Sequence, residues 1–157
     1  MGYWWDYDEQ DIVTSLESTS GPNGLLRFEY PWSNGRSVTY EADTVRMVVR
    51  KDGADYARRL RRVLVQSPPF SNLGESNCRQ VLYNKGDVDY WWDYDATVSA
   101  ALERGLANNR LVAFSWDWGQ LKNGEISESV AGPCSGMVRN PQNSNAMRLR
   151  RVLVPDM

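Results

Sequence analysis

Two stretches of this chain alternate apolar and polar residues with period two, and each follows a stretch in which apolar residues recur at the fourth position. Leu26, Phe28, Tyr30 and Trp32 fall on one face of an extended strand, as do Val112, Phe114, Trp116 and Trp118. Ahead of them Ile12 with Leu16, and Val98 with Leu102, are spaced i and i+4. That spacing predicts one helix of about three turns in each half, with a narrow apolar stripe toward a sheet. Asp8 and Asp95 stand where a carboxylate can accept from an open backbone N–H at the helix start. Gly105, and the run from Ser18 to Gly24, supply the stops.

An Asn-Gly pair follows each aromatic strand, Asn34-Gly35 and Asn123-Gly124, and predicts a tight hairpin because both residue types tolerate positive φ. Arg36 to Ala42 then returns as a strand, and Arg58–Gln66 and Met147–Pro155 close the two halves. A further hairpin is expected only in the second half, from Gln80–Tyr83 through a turn at Lys85-Gly86 into Tyr90-Trp91-Trp92.

The same pattern is written twice. Tyr-Trp-Trp-Asp-Tyr-Asp occurs at Tyr3–Asp8 and Tyr90–Asp95, and Arg-Leu-Arg-Arg-Val-Leu-Val at Arg59–Val65 and Arg148–Val154. Matching Phe28 with Phe114, Asn34 with Asn123, Met47 with Met137 and Val63 with Val152 keeps the offset between 86 and 90 residues. A tandem duplication with small loop insertions accounts for this. The fold class expected is α+β, as two repeats, each a curved antiparallel half-barrel sheet packed on one helix. The boundaries are 3–66 for the first, 67–77 for a Pro-containing linker and 78–155 for the second, with the first hairpin strand absent or truncated in the first repeat. Either the chain is cut from a longer protein or the first repeat is built one strand short.

Composition narrows the chemistry. With no histidine among 157 residues, the usual general base and the commonest metal ligand are missing. Cys78 and Cys134 fit no zinc spacing, and no glycine-rich phosphate loop or nucleophile elbow occurs. A non-catalytic protein without cofactor or metal is therefore expected. Two cysteines confined to one half do not make a disulfide framework, and no apolar run is long enough to cross a membrane, so an intracellular location, cytoplasmic or nuclear, is expected. Of the 18 basic residues 15 are arginine, the residue whose planar fork suits phosphate and stacked rings. The overall pI near 5.2 argues against nucleic acid as a partner, since nonspecific affinity comes from neutralising phosphates.

In the first repeat Trp4-Trp5, Tyr7, Leu16-Glu17, Tyr40, Asp43, Met47 and Arg58-x-Leu60-x-Arg62 fall in an order that resembles the WWE domain. The second repeat carries Trp91-Trp92, Tyr94, Leu102-Glu103, Met137 and Leu149-x-Arg151. The resemblance implies a half-barrel around one helix, and a place among ubiquitin-ligase and ADP-ribosyltransferase systems. It also implies recognition of the iso-ADP-ribose unit of poly(ADP-ribose), by an aromatic face for the adenine and cationic forks for the phosphates.

Carried over residue by residue, the resemblance implies Tyr40 and Arg58 as ligand contacts, with Arg50, Arg46 and Tyr7 nearby, and Tyr83 and Arg139 in the second repeat. The family's glutamine is Val49 in the first repeat, and Val130 and Met147 stand where the second should have its tyrosine and arginine. These departures keep a second reading open, a protein-interaction scaffold with degenerate pockets. The partners expected are an ADP-ribosylated protein or a nucleotide, or else a protein, with no membrane. Strand alternation holds Arg62 and Arg151 between leucines, which suits ion pairs with the helix-end carboxylates Glu17 and Glu103.

Overall fold

A computed structural model describes residues 3–7, 9–19, 24–32, 34–66, 78–86, 90–117, 124–142 and 145–155. The chain divides into two compact units, a smaller one of Tyr7–Arg61 and a larger one made of Met1–Asp6 with Arg62–Met157. In chain order the elements begin with β1 (Tyr3–Trp4), α1 (Gln10–Ser18), β2 (Leu25–Pro31), β3 (Ser37–Asp43), β4 (Val48–Lys51), β5 (Arg58–Arg59) and β6 (Leu64–Gln66). They continue with β7 (Cys78–Gly86), β8 (Trp91–Asp93), α2 (Ala96–Ala107), β9 (Val112–Asp117), β10 (Ile126–Gly132), β11 (Met137–Arg139) and β12 (Ala146–Pro155). The expected linker at 67–77 lies outside the described residues.

In the smaller unit β2, β3, β4 and β5 form an antiparallel sheet in that order. The alternation holds: Phe28 and Tyr30 turn inward with Tyr40, Ala42 and Val49 and meet Ile12 of α1, while Arg27 and Glu29 are exposed. The helix start differs from expectation. Glu9 takes the cap position without a side-chain cap hydrogen bond, and Asp8 lies outside the described residues. The hairpin is also not the two-residue turn expected. Trp32 N–H donates to the Arg36 carbonyl (2.7 Å) and Gly35 N–H to the Trp32 carbonyl (3.0 Å), closing a three-residue loop. Only Gly35 takes positive φ (80°); Asn34 instead accepts from the Arg36 N–H through Oδ1 at 2.9 Å. Three-residue loops place the left-handed residue last, which leaves asparagine to act through its side chain.

The larger unit is an eight-stranded antiparallel sheet, β1-β8-β7-β12-β11-β10-β9 with β6 also on β12, curled into a half-barrel. Helix α2 lies against β7, β9 and β10 and buries Val98 and Leu102 among Tyr83, Tyr94, Trp116 and Leu149. Asp95 caps it as expected, its Oδ1 accepting from the Val98 N–H at 2.8 Å. Gly105 does not end it: the helix runs on to Ala107, and Asn109 takes the left-handed turn (φ 51°). A Cβ at Gly105 would collide with Val112, so this glycine serves close helix–strand packing. The Lys85-Gly86 turn is likewise replaced. Strand β7 continues through Gly86, which pairs with Trp91 and leaves no room for a Cβ beside the Trp91 ring, and residues 87–89 lie outside the described residues.

Two pairings in the larger unit join copies of the duplicated strings. Tyr3 and Trp4 of β1 pair with Trp92 and Trp91 of β8, so the aromatic string pairs antiparallel with its own repeat. Leu64 and Val65 of β6 pair with Leu153 and Val152 of β12 in the same self-matching way. The sequence copies and the compact units are therefore different stretches of chain.

Identical sequence also gives different structure. Arg148–Val154 lies within a ten-residue strand, whereas Arg59–Val65 is split into β5 and β6 with 60–63 outside any strand. Strand β12 has β7 beside it from Arg148 to Pro155, while β5 is the last strand of its sheet. Cross-strand neighbours, more than intrinsic propensity, decide whether such a segment holds extended.

Hydrogen bonds also correct the residue matching. Leu60 N–H donates to the Met47 carbonyl (2.8 Å) as Leu149 N–H does to the Gly136 carbonyl (2.9 Å), and Met47 (φ 57°) and Gly136 (φ 71°) share the left-handed conformation. Met47 thus corresponds to Gly136, not Met137. Tyr40 opposes Phe28 as Ser129 opposes Phe114, so the counterpart of Tyr40 is Ser129 and not Val130. By the same shift Arg139 matches Arg50, and Val49 matches Val138, both buried.

Candidate functional site

Three of the expected contact residues come together in the smaller unit. Tyr40 is turned inward by β3 and stacks on Phe28, with ring centroids 5.8 Å apart and planes at 24°. Tyr7 meets the same Phe28 edge-on (5.4 Å, 89°) and Tyr30 as well (5.5 Å, 75°). The Tyr7 phenol is pushed up to about 12, first by burial, then by the nearby Tyr40 phenol, with the Arg58 guanidinium pulling the other way. Arg58, opposite Val49 on β5, is exposed, and its guanidinium lies 5.8 Å from the ring centre of the exposed Tyr56. Sequence reasoning missed Tyr56; a lone aromatic in the polar stretch after Lys51 was the available signal.

The other two arginines of this half stand elsewhere. Arg46 sits in the turn before β4, its side chain 82% exposed and 3.8 Å from Asp43. Arg50 pairs across the sheet with exposed Glu41, on the face opposite Tyr40 and Val49. What remains is two phenols, one guanidinium and an aromatic wall. Such a set donates hydrogen bonds to anionic oxygens and presents a ring face beside them. Among the described residues no group of three or more potential metal ligands occurs, and no helix is long and apolar enough to cross a membrane.

The chain matches no family model, no curated protein and no solved structure. The reading of its site therefore rests on its own residues.

In the larger unit the expected contacts do not converge. Tyr83 is fully buried, its hydroxyl against the Glu103–Arg151 pair; burial, and next Glu103, push its ionisation far up while Arg151 opposes them. Arg151 Nε donates to Glu103 Oε1 at 2.6 Å, with a second contact at 3.4 Å, which is the helix-end ion pair expected from the alternation. Arg139 is exposed on the outer face of β11. At the positions of Tyr40 and Arg58 this unit has Ser129 and Met147.

Arg150 carries a network that nothing in the sequence marked out. Its guanidinium donates to Asp6 at 2.7 and 3.1 Å and to Asn84 at 2.7 Å, and lies 3.9 Å from the centre of the Trp91 ring. Asn84 in turn donates to Asp93 (3.0 Å), which also accepts from the Trp4 indole N–H (3.1 Å). The residues that make Arg150 different from Arg148 lie 66 and 144 positions away, beyond any local pattern.

The phenols predict alkaline lability. Tyr7, Tyr83 and Tyr94 all have raised ionisation, Tyr94 through burial alone. Each stays neutral in the folded chain while its unfolded counterpart ionises above about pH 10, so the unfolded state binds fewer protons and stability falls as pH rises. For Tyr7 the loss runs from pH 10 to about 12. Denaturant melts at pH 9 and 11 should show a drop at the higher pH that Tyr94→Phe reduces; equal midpoints would contradict the burial.

Proposed function

We propose that the smaller unit is a non-catalytic binding site for ADP-ribose-containing ligands, such as the iso-ADP-ribose unit of poly(ADP-ribose), in the manner of the WWE domain that its sequence resembles. The observation that carries this reading is that Tyr7 and Tyr40 both pack on Phe28, with exposed Arg58 near enough to act on the Tyr7 phenol. Arg58 would take a phosphate through its fork, and the phenols would hold ribose or adenine edges. The larger unit, with Ser129 and Met147 at the corresponding positions, would not share this role.

Isothermal calorimetry with iso-ADP-ribose and with ADP-ribose tests it. Binding is expected for at least one of them, with Arg58→Ala weakening it by about tenfold to a hundredfold, the range of a charge-assisted hydrogen bond. No heat with either ligand at millimolar concentration would end this reading.

A second reading has its own support. Tyr40 already stacks on Phe28 and Val49 is part of the core, so little of either is open to a ligand. A protein-interaction scaffold would then keep its partner after Arg58→Ala and ignore nucleotides.

A further inference from the structure

Alternation along β12 turns Leu149 and Arg151 toward α2, and Arg148 and Arg150 to the outer face of the larger sheet. In the register with β11, Met137 stands opposite Arg148 and Arg139 opposite Ala146, so Arg139 and Arg148 are diagonal neighbours on that face, both exposed. The other residues directly opposite them, Val130 and Gly86, carry no charge. Arg150 has Asp6 at 2.7 and 3.1 Å, but among the described residues neither Arg139 nor Arg148 has a carboxylate within ion-pair distance. Glu128, diagonal to Arg139 across β10, accepts instead from the Ser115 hydroxyl at 2.6 Å. Two like charges thus sit side by side, although cross-strand neighbours of one sign repel. Arg148 is nonetheless held in place, its guanidinium 4.4 Å from the centre of the buried Trp91 ring. A planar fork fixed on a ring has less freedom to lose when it binds.

We propose that Arg139 and Arg148 form a docking site for a phosphate monoester carried by a segment of a partner protein. The oxygens of a monoester accept from both forks at once, and its charge of about −1.5 to −2 offsets both cations. A carboxylate brings two oxygens and a single charge. Both arginines stand on an exposed strand face, which suits a group displayed on another protein, whereas a free small molecule needs enclosure. The chain's net charge of −2 disfavours a long polyanion such as nucleic acid, whose affinity is collected over many phosphates. The site lies in the larger unit and uses none of Tyr7, Tyr40 and Arg58, so it stands or falls separately from the ligand reading of the smaller unit.

NMR titration of the full chain tests this with the peptide acetyl-Ala-Ala-phosphoserine-Ala-Ala-amide and its unphosphorylated form. The phosphopeptide should shift the backbone amides of Arg139 and Arg148 and the Trp91 indole N–H. It should bind at least about tenfold more tightly than the serine peptide, the range of a charge-assisted hydrogen bond, and added salt should narrow the gap. Arg139→Ala and Arg148→Ala should each weaken it by about tenfold. Arg139 is exposed and makes no ion pair, so its removal disturbs no packing, and an otherwise unchanged spectrum shows that the variant is folded. Removing Arg104, an exposed arginine of α2, should leave phosphopeptide binding unchanged, as should Arg58→Ala even where that variant loses nucleotide binding. No shift at millimolar phosphopeptide, equal affinity for the two peptides, or binding that survives both Arg139→Ala and Arg148→Ala would overturn the proposal. So would oligo(dT) shifting the same amides at lower concentration than the phosphopeptide.

Discussion

Glu103→Ala should destabilise the larger unit by about 3 kcal/mol, the lower end of the cost of breaking a buried ion pair. The reason is the asymmetry of the pair. Arg151 is fully buried, while the Glu103 side chain is 35% exposed. Removing the carboxylate takes away the anion that faces a guanidinium enclosed beside Tyr83 and the leucines of β12. Removing both charges is different. The double variant Glu103→Leu with Arg151→Met should recover most of the loss, since an apolar pair of similar volume often matches a buried ion pair. Urea melts of the two single variants and the double one give the coupling directly. A Glu103→Ala chain within about 0.5 kcal/mol of the parent would mean that the pair is only a surface contact.

The second large effect should follow from removing residues 1–77. A fragment of Cys78–Met157 keeps the whole second sequence copy and α2, yet it loses β1 from β8 and β6 from β12. It also loses Asp6, which holds the buried Arg150, and the Trp4 indole that donates to Asp93. Two strand flanks are then open to pairing with another chain, and their partners were copies of the same strings, so the fragment is a fitting partner for itself. It should be insoluble or form concentration-dependent oligomers, while the parent chain does not. Light scattering coupled to gel filtration reads this out. A monomeric fragment melting cooperatively within about 5 °C of the parent would show that β1 and β6 contribute little.

Much of the fold was legible because the duplication made each pattern visible twice. The period-two faces of β2 and β9, the helices with their apolar i, i+4 pairs, the Asp95 cap and the Glu103–Arg151 pair all follow from spacing that acts over a few residues or along one strand face. The errors share a cause. Gly105 and Gly86 are glycines with turn-like context, but each is glycine because another part of the chain approaches closely, and contact partners are not written locally. Matching Met47 to Met137 by letter put the second tyrosine position at Val130. The hydrogen bond from Leu149 to Gly136 moves it to Ser129.

The candidate site divides the same way. Tyr40 and Arg58 could be singled out from the family pattern, but alternation in β4 sends Arg50 outward, and Tyr56, two residues before Arg58, lies 5.8 Å from its guanidinium. Tyr83, an aromatic in an expected hairpin, is instead closed in by α2 and the ion pair.

By itself the sequence determined the residue periods, the two helices, the strand faces and the duplication, because these depend on backbone geometry that repeats every two or 3.6 residues. The tertiary structure alone decided which copy each strand pairs with. Arg59–Val65 and Arg148–Val154 are the same seven residues, yet the first is divided between β5 of one sheet and β6 of the other, while the second runs unbroken beside β7.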